Sequence, residues 1–143
     1  MRIERLELED VMLMQVAINS SFVMERYLTA RRSAIIHKVA EANLILSRTF
    51  GILVWFEQVV DLCKLAGLGR KEAKLFRNYQ YISVDRREHL KYDFIRGIIK
   101  LDYTRDDALR LFEVLAYTAC DTWKRDGVAE QVKHFFKNTK QFI

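Results

Sequence analysis

The sequence predicts an all-α protein, a single-domain helical bundle of about five to seven helices spanning residues 1–143. Three observations predict it. The chain holds no proline and five glycines, too few for the many turns of a sandwich or barrel. Half of its residues are hydrophobic, enough to bury a core within one domain. Helix-capping residues also stand where the later apolar-periodic stretches begin.

The elements follow in order. From Leu6 to Phe50 there is neither Gly nor Pro, a stretch too long for one globular helix. A break near "NSS" (19–21) or "LTARRS" (28–33) divides it into two helices. A third helix is expected from Ile52 to Ala66, ending at Gly67 or Gly69 in the left-handed stop glycine favours. Its first residues belong to "GILVWF", a run that a buried strand would also fit. No partner strand is visible, so the helical reading is preferred. The aromatic residues of the run are assigned to the core, Trp55 among them. A short fourth helix covers Arg70 to Gln80. "YISVD" reads as a connection, with Asp85 as N-cap and Glu88 three residues later. The helix that follows reaches Lys100. Thr104 caps the next, with Asp106 and Asp107 favourably placed in its first turn. That helix is expected to run to Lys124 and stop at Gly127, leaving a last one from Val128 to Lys140.

The net charge is +5, and it is unevenly spread. Residues 1–20 carry −2, residues 101–143 carry 0, and residues 21–100 carry +7. The cationic character therefore lies in the middle of the chain, which fits contact with an anionic partner. Cys63 and Cys120 stand far apart in apolar contexts and read as two buried free thiols of a reducing, cytoplasmic setting. "MRIERLELED" has no apolar core of a signal peptide. The most apolar run, "FGILVWFEQVV", meets Glu57 long before the ~20 residues a bilayer span needs, so no membrane is expected.

Chemistry-bearing motifs are few. His37, His89 and His134 fall in three separate predicted helices, with no paired Glu-x-x-His and no metal site expected. "GLG" (67–69) lacks both a preceding strand and a following Gly-Lys-Ser/Thr, so it reads as a helix end, not a phosphate cradle. No cofactor is expected. "RSAIIH" sets Arg32 and His37 in an Arg-x4-His spacing that resembles the signature of HEPN-family ribonucleases. That resemblance implies an arginine on phosphate charge and a histidine in acid–base cleavage. On a helix, however, positions five apart lie about 140° round the axis.

The strongest pattern is basic. In "RKEAKLFRNYQ", Arg70, Lys74 and Arg77 share one helical face, with Lys71 beside them. Arg31, Arg32, Lys38 and Arg48 precede them, and Arg86, Arg87 and Lys91 follow. Residues 70–100 hold nine cations against four anions. Tyr79 and Tyr81 flank the short helix, where a ring can stack on a base. No helix-turn-helix, zinc-finger or RRM signature accompanies them, so phosphate contact without base reading is expected.

The run "HLKYDFIRGIIKLDYTRDDALRLFEVL", a helix, an aspartate-rich turn and a helix, resembles the small subunits of CRISPR effector complexes. The resemblance implies a non-catalytic helical bundle that contacts nucleic-acid backbone and neighbouring subunits, including copies of itself. The reading is a nucleic-acid-binding subunit, for RNA or single-stranded DNA, of a larger ribonucleoprotein. A protein-binding adaptor with a basic face and a HEPN-like ribonuclease are the alternatives.

Overall fold

The computed structural model describes residues 8–139, and every described helix is α or 3-10. The all-α class holds. Eight α-helices lie among the described residues, one more than the upper expectation. They are α1 (Leu8–Asn19), α2 (Ser21–Arg32), α3 (Ala40–Ile45), α4 (Phe56–Leu65), α5 (Arg70–Arg77), α6 (Val84–Ile99), α7 (Arg105–Thr118) and α8 (Arg125–Thr139). The expected helix start at Leu6 and helix end at Lys140 lie outside the described residues.

The additional helix comes from the stretch expected to hold two, which breaks at both sites named. Ser20 caps α2 by accepting the Val23 N–H at 3.3 Å. α2 then ends at Arg32, and Ser33 turns extended. The chain stays non-helical to Val39 because it is bonded elsewhere: Ile35 N–H donates to Phe50 O at 2.9 Å. Phe50 and Gly51 both adopt left-handed backbone, with φ of 57° and 86°. A Cβ at Gly51 would sit 1.9 Å from Ile35 O, so only glycine permits this approach.

The third helix begins at Phe56, not Ile52, and residues 53–55 are extended. Trp55 pairs in parallel with Trp123: Phe56 N–H donates to Trp123 O, and Trp123 N–H to Val54 O, both at 2.9 Å. Side chains of the segment are shared between two cores. Ile52, Val54 and Trp55 join a cluster with Met12, Leu13, Val16, Val23, Tyr27 and Val128 from α1, α2 and α8. Leu53 and Phe56 join a larger cluster built by α3 to α7. An extended segment buried on both faces reads as a continuous apolar run, which is why "GILVWF" resembles a buried helix in sequence. Trp55 is 2% exposed, as expected.

That pairing also ends α7 early. The helix stops at Thr118 rather than Lys124, and a 3-10 turn (Ala119–Asp121) delivers Trp123 to the bridge. α8 starts at Arg125, so Gly127 lies inside its first turn instead of terminating α7. α6 is capped by Ser83, which accepts the Arg86 N–H at 3.3 Å; Asp85 lies one residue inside the helix. Thr104 caps α7 through the Asp107 N–H at 3.2 Å, as expected. The stop at Gly67 is also confirmed. Leu68 N–H reaches Cys63 O at 2.8 Å and Gly67 N–H reaches Lys64 O at 2.9 Å, a Schellman motif. Cys63 is buried, whereas Cys120 is half-buried. No described helix is long and apolar enough to cross a membrane.

Candidate nucleic-acid interface

α5 has eight residues, too few to persist alone, so its cations are presented by packing. Ala73 and Phe76 are buried. Phe76 meets Phe94 of α6 edge-on at 5.6 Å and Phe112 of α7 at 5.6 Å. At the N-terminus, Glu72 Oε2 accepts the Gly69 N–H at 2.9 Å, which directs its carboxylate to the backbone and away from the neighbouring cations. α5 ends at Arg77, and a 3-10 turn (Tyr79–Tyr81) replaces the continuation expected to Gln80.

Arg70, Lys74 and Arg77 do share a face. The guanidinium groups of Arg70 and Arg77 each lie 5.5 Å from the centre of the Phe56 ring on α4. Arg70, Lys71 and Lys74 are exposed; Arg77 is half-buried and reaches Thr122 O at 3.5 Å. Arg77 thus ties α5 to the turn before α8.

Arg86 is exposed at the start of α6, but Arg87 is structural. Its Nε and Nη2 donate to Tyr79 O (2.9 Å) and Gln80 O (2.7 Å), and it covers the Tyr79 ring at 5.2 Å. Tyr79 cannot stack on a base, since its ring packs on Phe76 and Phe112. Burial raises the pKa of its hydroxyl, with the Arg87 charge opposing. Tyr81 remains 84% exposed.

Of the earlier cations, Arg31 bonds to the Tyr27 hydroxyl and lies 3.8 Å from Asp10. Arg32, Lys38 and Arg48 are exposed, at the end of α2, in the non-helical stretch before α3, and in the 3-10 turn after α3. Among the described residues, none of Arg32, Lys38, Arg48, Arg70, Lys71, Lys74, Arg86 and Lys91 is in an ion pair.

The half-buried Lys91 lines a groove of about 290 Å³ with Glu88, Tyr92, Ile95, Arg96, Ile99 and Arg105. Sequence reasoning passed over Tyr92, Arg96 and Arg105. The α6 residues recur at helical spacing and were accessible in principle. Arg105 comes from α7, and only the tertiary fold brings it there.

Arg32 and His37 do not share a helix, because α2 ends at Arg32. His37 Nε2 lies 2.7 Å from Gly51 O, and a carbonyl only accepts, so this nitrogen carries the proton. The His37 backbone is held on both sides by Asn43, at 2.7 and 2.9 Å. These bonds explain the histidine as part of the loop. Among the described residues, no group of three His, Cys, Asp or Glu side chains is placed to hold a metal ion.

A second polar constellation joins distant parts of the chain. Glu9, 8% exposed on α1, accepts from Trp55 Nε1 at 2.8 Å and from Arg125 Nε and Nη2 at 3.1 and 2.7 Å. Glu57 of α4 accepts the Arg125 N–H at 3.1 Å and so caps α8 from another helix. Sequence separations of 46 and 116 residues hide this clamp from any local pattern.

No family model matches the chain, and no solved structure matches it. Over 74 residues, 50% of this chain, it is 34% identical to DNA polymerase III subunit alpha of Borreliella burgdorferi. The match covers 6% of that protein's length.

Proposed function

We propose that the protein is a non-catalytic subunit of a larger assembly that binds the phosphate backbone of nucleic acid through α5 and the start of α6. One observation carries this reading: Arg70, Lys71, Lys74 and Arg86 are exposed on adjacent elements, and none is in an ion pair among the described residues. Solvated cations that no internal carboxylate neutralises are free to replace the counterions of a polyanion. The cap at Gly69 and the Phe76 anchor hold α5 in place before any partner arrives, which lowers the ordering cost of binding.

The partial similarity to a DNA polymerase subunit supports a nucleic-acid setting. The exposed apolar side chains Ile36 (82%) and Leu44 (79%) fit a chain that meets other subunits. A CRISPR effector complex, whose small subunits the sequence resembles, is the proposed kind of assembly.

The test is fluorescence anisotropy of purified protein with two unrelated single-stranded oligonucleotides across a salt series. Binding should weaken steeply with salt, at about −0.7 in log–log slope per phosphate contacted, with near-equal affinity for the two sequences. Absence of binding at low salt would instead favour an adaptor whose basic face meets an acidic protein.

A further inference from the structure

The groove between α6 and α7 differs in kind from the α5 ridge. It combines three cations, Lys91, Arg96 and Arg105, with an aromatic ring and an apolar floor. Tyr92 is 62% exposed, packs against no other described ring and makes no hydrogen bond among the described residues. Ile95 is buried beneath, and Ile99 is 41% exposed beside it. Among the described residues, Glu88 is the one acidic residue in the lining. At about 290 Å³ the groove lies at the lower end of ligand-sized sites and accommodates one nucleotide rather than an extended ligand.

We infer that this groove takes one unstacked nucleotide of a single strand, with its base against Tyr92 and Ile99 and its flanking phosphates at Lys91, Arg96 and Arg105. The inference rests on the backbone-binding reading and adds a preference to it. A ridge of cations alone serves duplex and single strand alike, because both present phosphates. A ring set among cations serves only a strand whose base faces are open, since the bases of a duplex are stacked on one another. Every base has a flat apolar face, so the site would favour single strands without reading sequence.

The experiment compares wild type, Tyr92→Ala, Tyr92→Phe and Tyr117→Ala in anisotropy titrations at fixed low salt. The ligands are an oligo-dT, an oligo-rU and a blunt duplex of two complementary strands. Tyr117, 74% exposed on α7 and outside the groove lining, is the control for loss of a surface ring. Tyr92→Ala should weaken single-strand binding by roughly 5- to 150-fold, the range for loss of one base–aromatic stack. Its duplex affinity should stay at the wild-type level. Tyr92→Phe and Tyr117→Ala should bind as wild type does. Single-strand binding by Tyr92→Ala equal to wild type would overturn the inference while leaving the backbone reading intact. An equal loss on the duplex would overturn the stacking role as well. No binding of any ligand by wild type would remove the backbone reading, and the groove assignment with it.

Discussion

Gly97 lies inside α6 where the end of α4 crosses it, and a Cβ there would stand 1.8 Å from Ala66 O. The neighbour is backbone and cannot rotate aside. Gly97→Ala should therefore cost about 3 kcal/mol or more by forcing the two helices apart. Gly127 is the opposite case: it lies in the first turn of α8, and a Cβ added there would meet nothing within 4 Å. Gly127→Ala should stabilise by about 0.5–1 kcal/mol and raise Tm by about 2–4 °C. Thermal melts of the two variants check both signs. The thiols give a second pair. Burial, with Glu72 adding to it, pushes the Cys63 thiol from 9.0 up to about 12. A folded pKa above the unfolded one stabilises the fold fully below pH 9 and loses that contribution as pH rises towards 12. Urea midpoints should fall as pH rises above 9, and fall less in Cys63→Ala. In native protein a thiol reagent should label the half-buried Cys120 readily and Cys63 only on unfolding.

Among the elements, residues 52–55 and the clamp around them join the two cores. Glu9 and Arg125 meet in a two-pronged bond, Glu9 buried and Arg125 half-buried, with Glu9 also holding the Trp55 indole. Removing Arg125 leaves the buried Glu9 carboxylate without its cation, so Arg125→Ala should cost about 3 kcal/mol, and Glu9→Ala less, because water reaches the half-buried Arg125. The double variant should cost less than the sum by about 1–3 kcal/mol, measured by a urea-denaturation double-mutant cycle. Additive losses would show that the two side chains act independently. Local signals in the sequence were sufficient for some elements. Thr104 followed by Asp106 and Asp107, and Gly67 after the apolar stretch of α4, mark helix ends by chemistry confined to a single turn. The cap of α6 is ambiguous in sequence because Ser83 and Asp85 are both good cap residues. The acidic side chain at Glu88 drew the choice to Asp85, while the backbone uses Ser83. The extended segment is illegible for a different reason: its bridge partner, Trp123, lies 68 residues from Trp55, and periodicity cannot register a short segment buried on both sides.

At the scale of the whole molecule, the cationic middle of the chain is divided by the fold into parts with different duties. Arg77 ties α5 to the turn before α8, Arg87 ties α6 to the turn after α5, and Arg31 is paired with Asp10. Counting charges along the sequence could not separate Arg77 and Arg87 from the exposed cations, because their partners are ring faces and carbonyls, not carboxylates. Arg70, Lys71 and Lys74 remain exposed on α5, while Glu72 among them is occupied at Gly69. The most direct test of backbone binding is a salt titration of anisotropy for wild type against Arg70→Ala/Lys71→Ala/Lys74→Ala, with Arg77 retained to keep the packing. On two unrelated single strands, loss of three phosphate contacts should flatten the log–log slope by about 2, equally for both sequences. The melting temperature should fall only slightly, since the exposed Arg70–Phe56 contact contributes about 0.5–1 kcal/mol and the lysine changes stay within about 0.5 kcal/mol. An unchanged slope in a folded variant, or a loss confined to one sequence, would contradict backbone binding by α5.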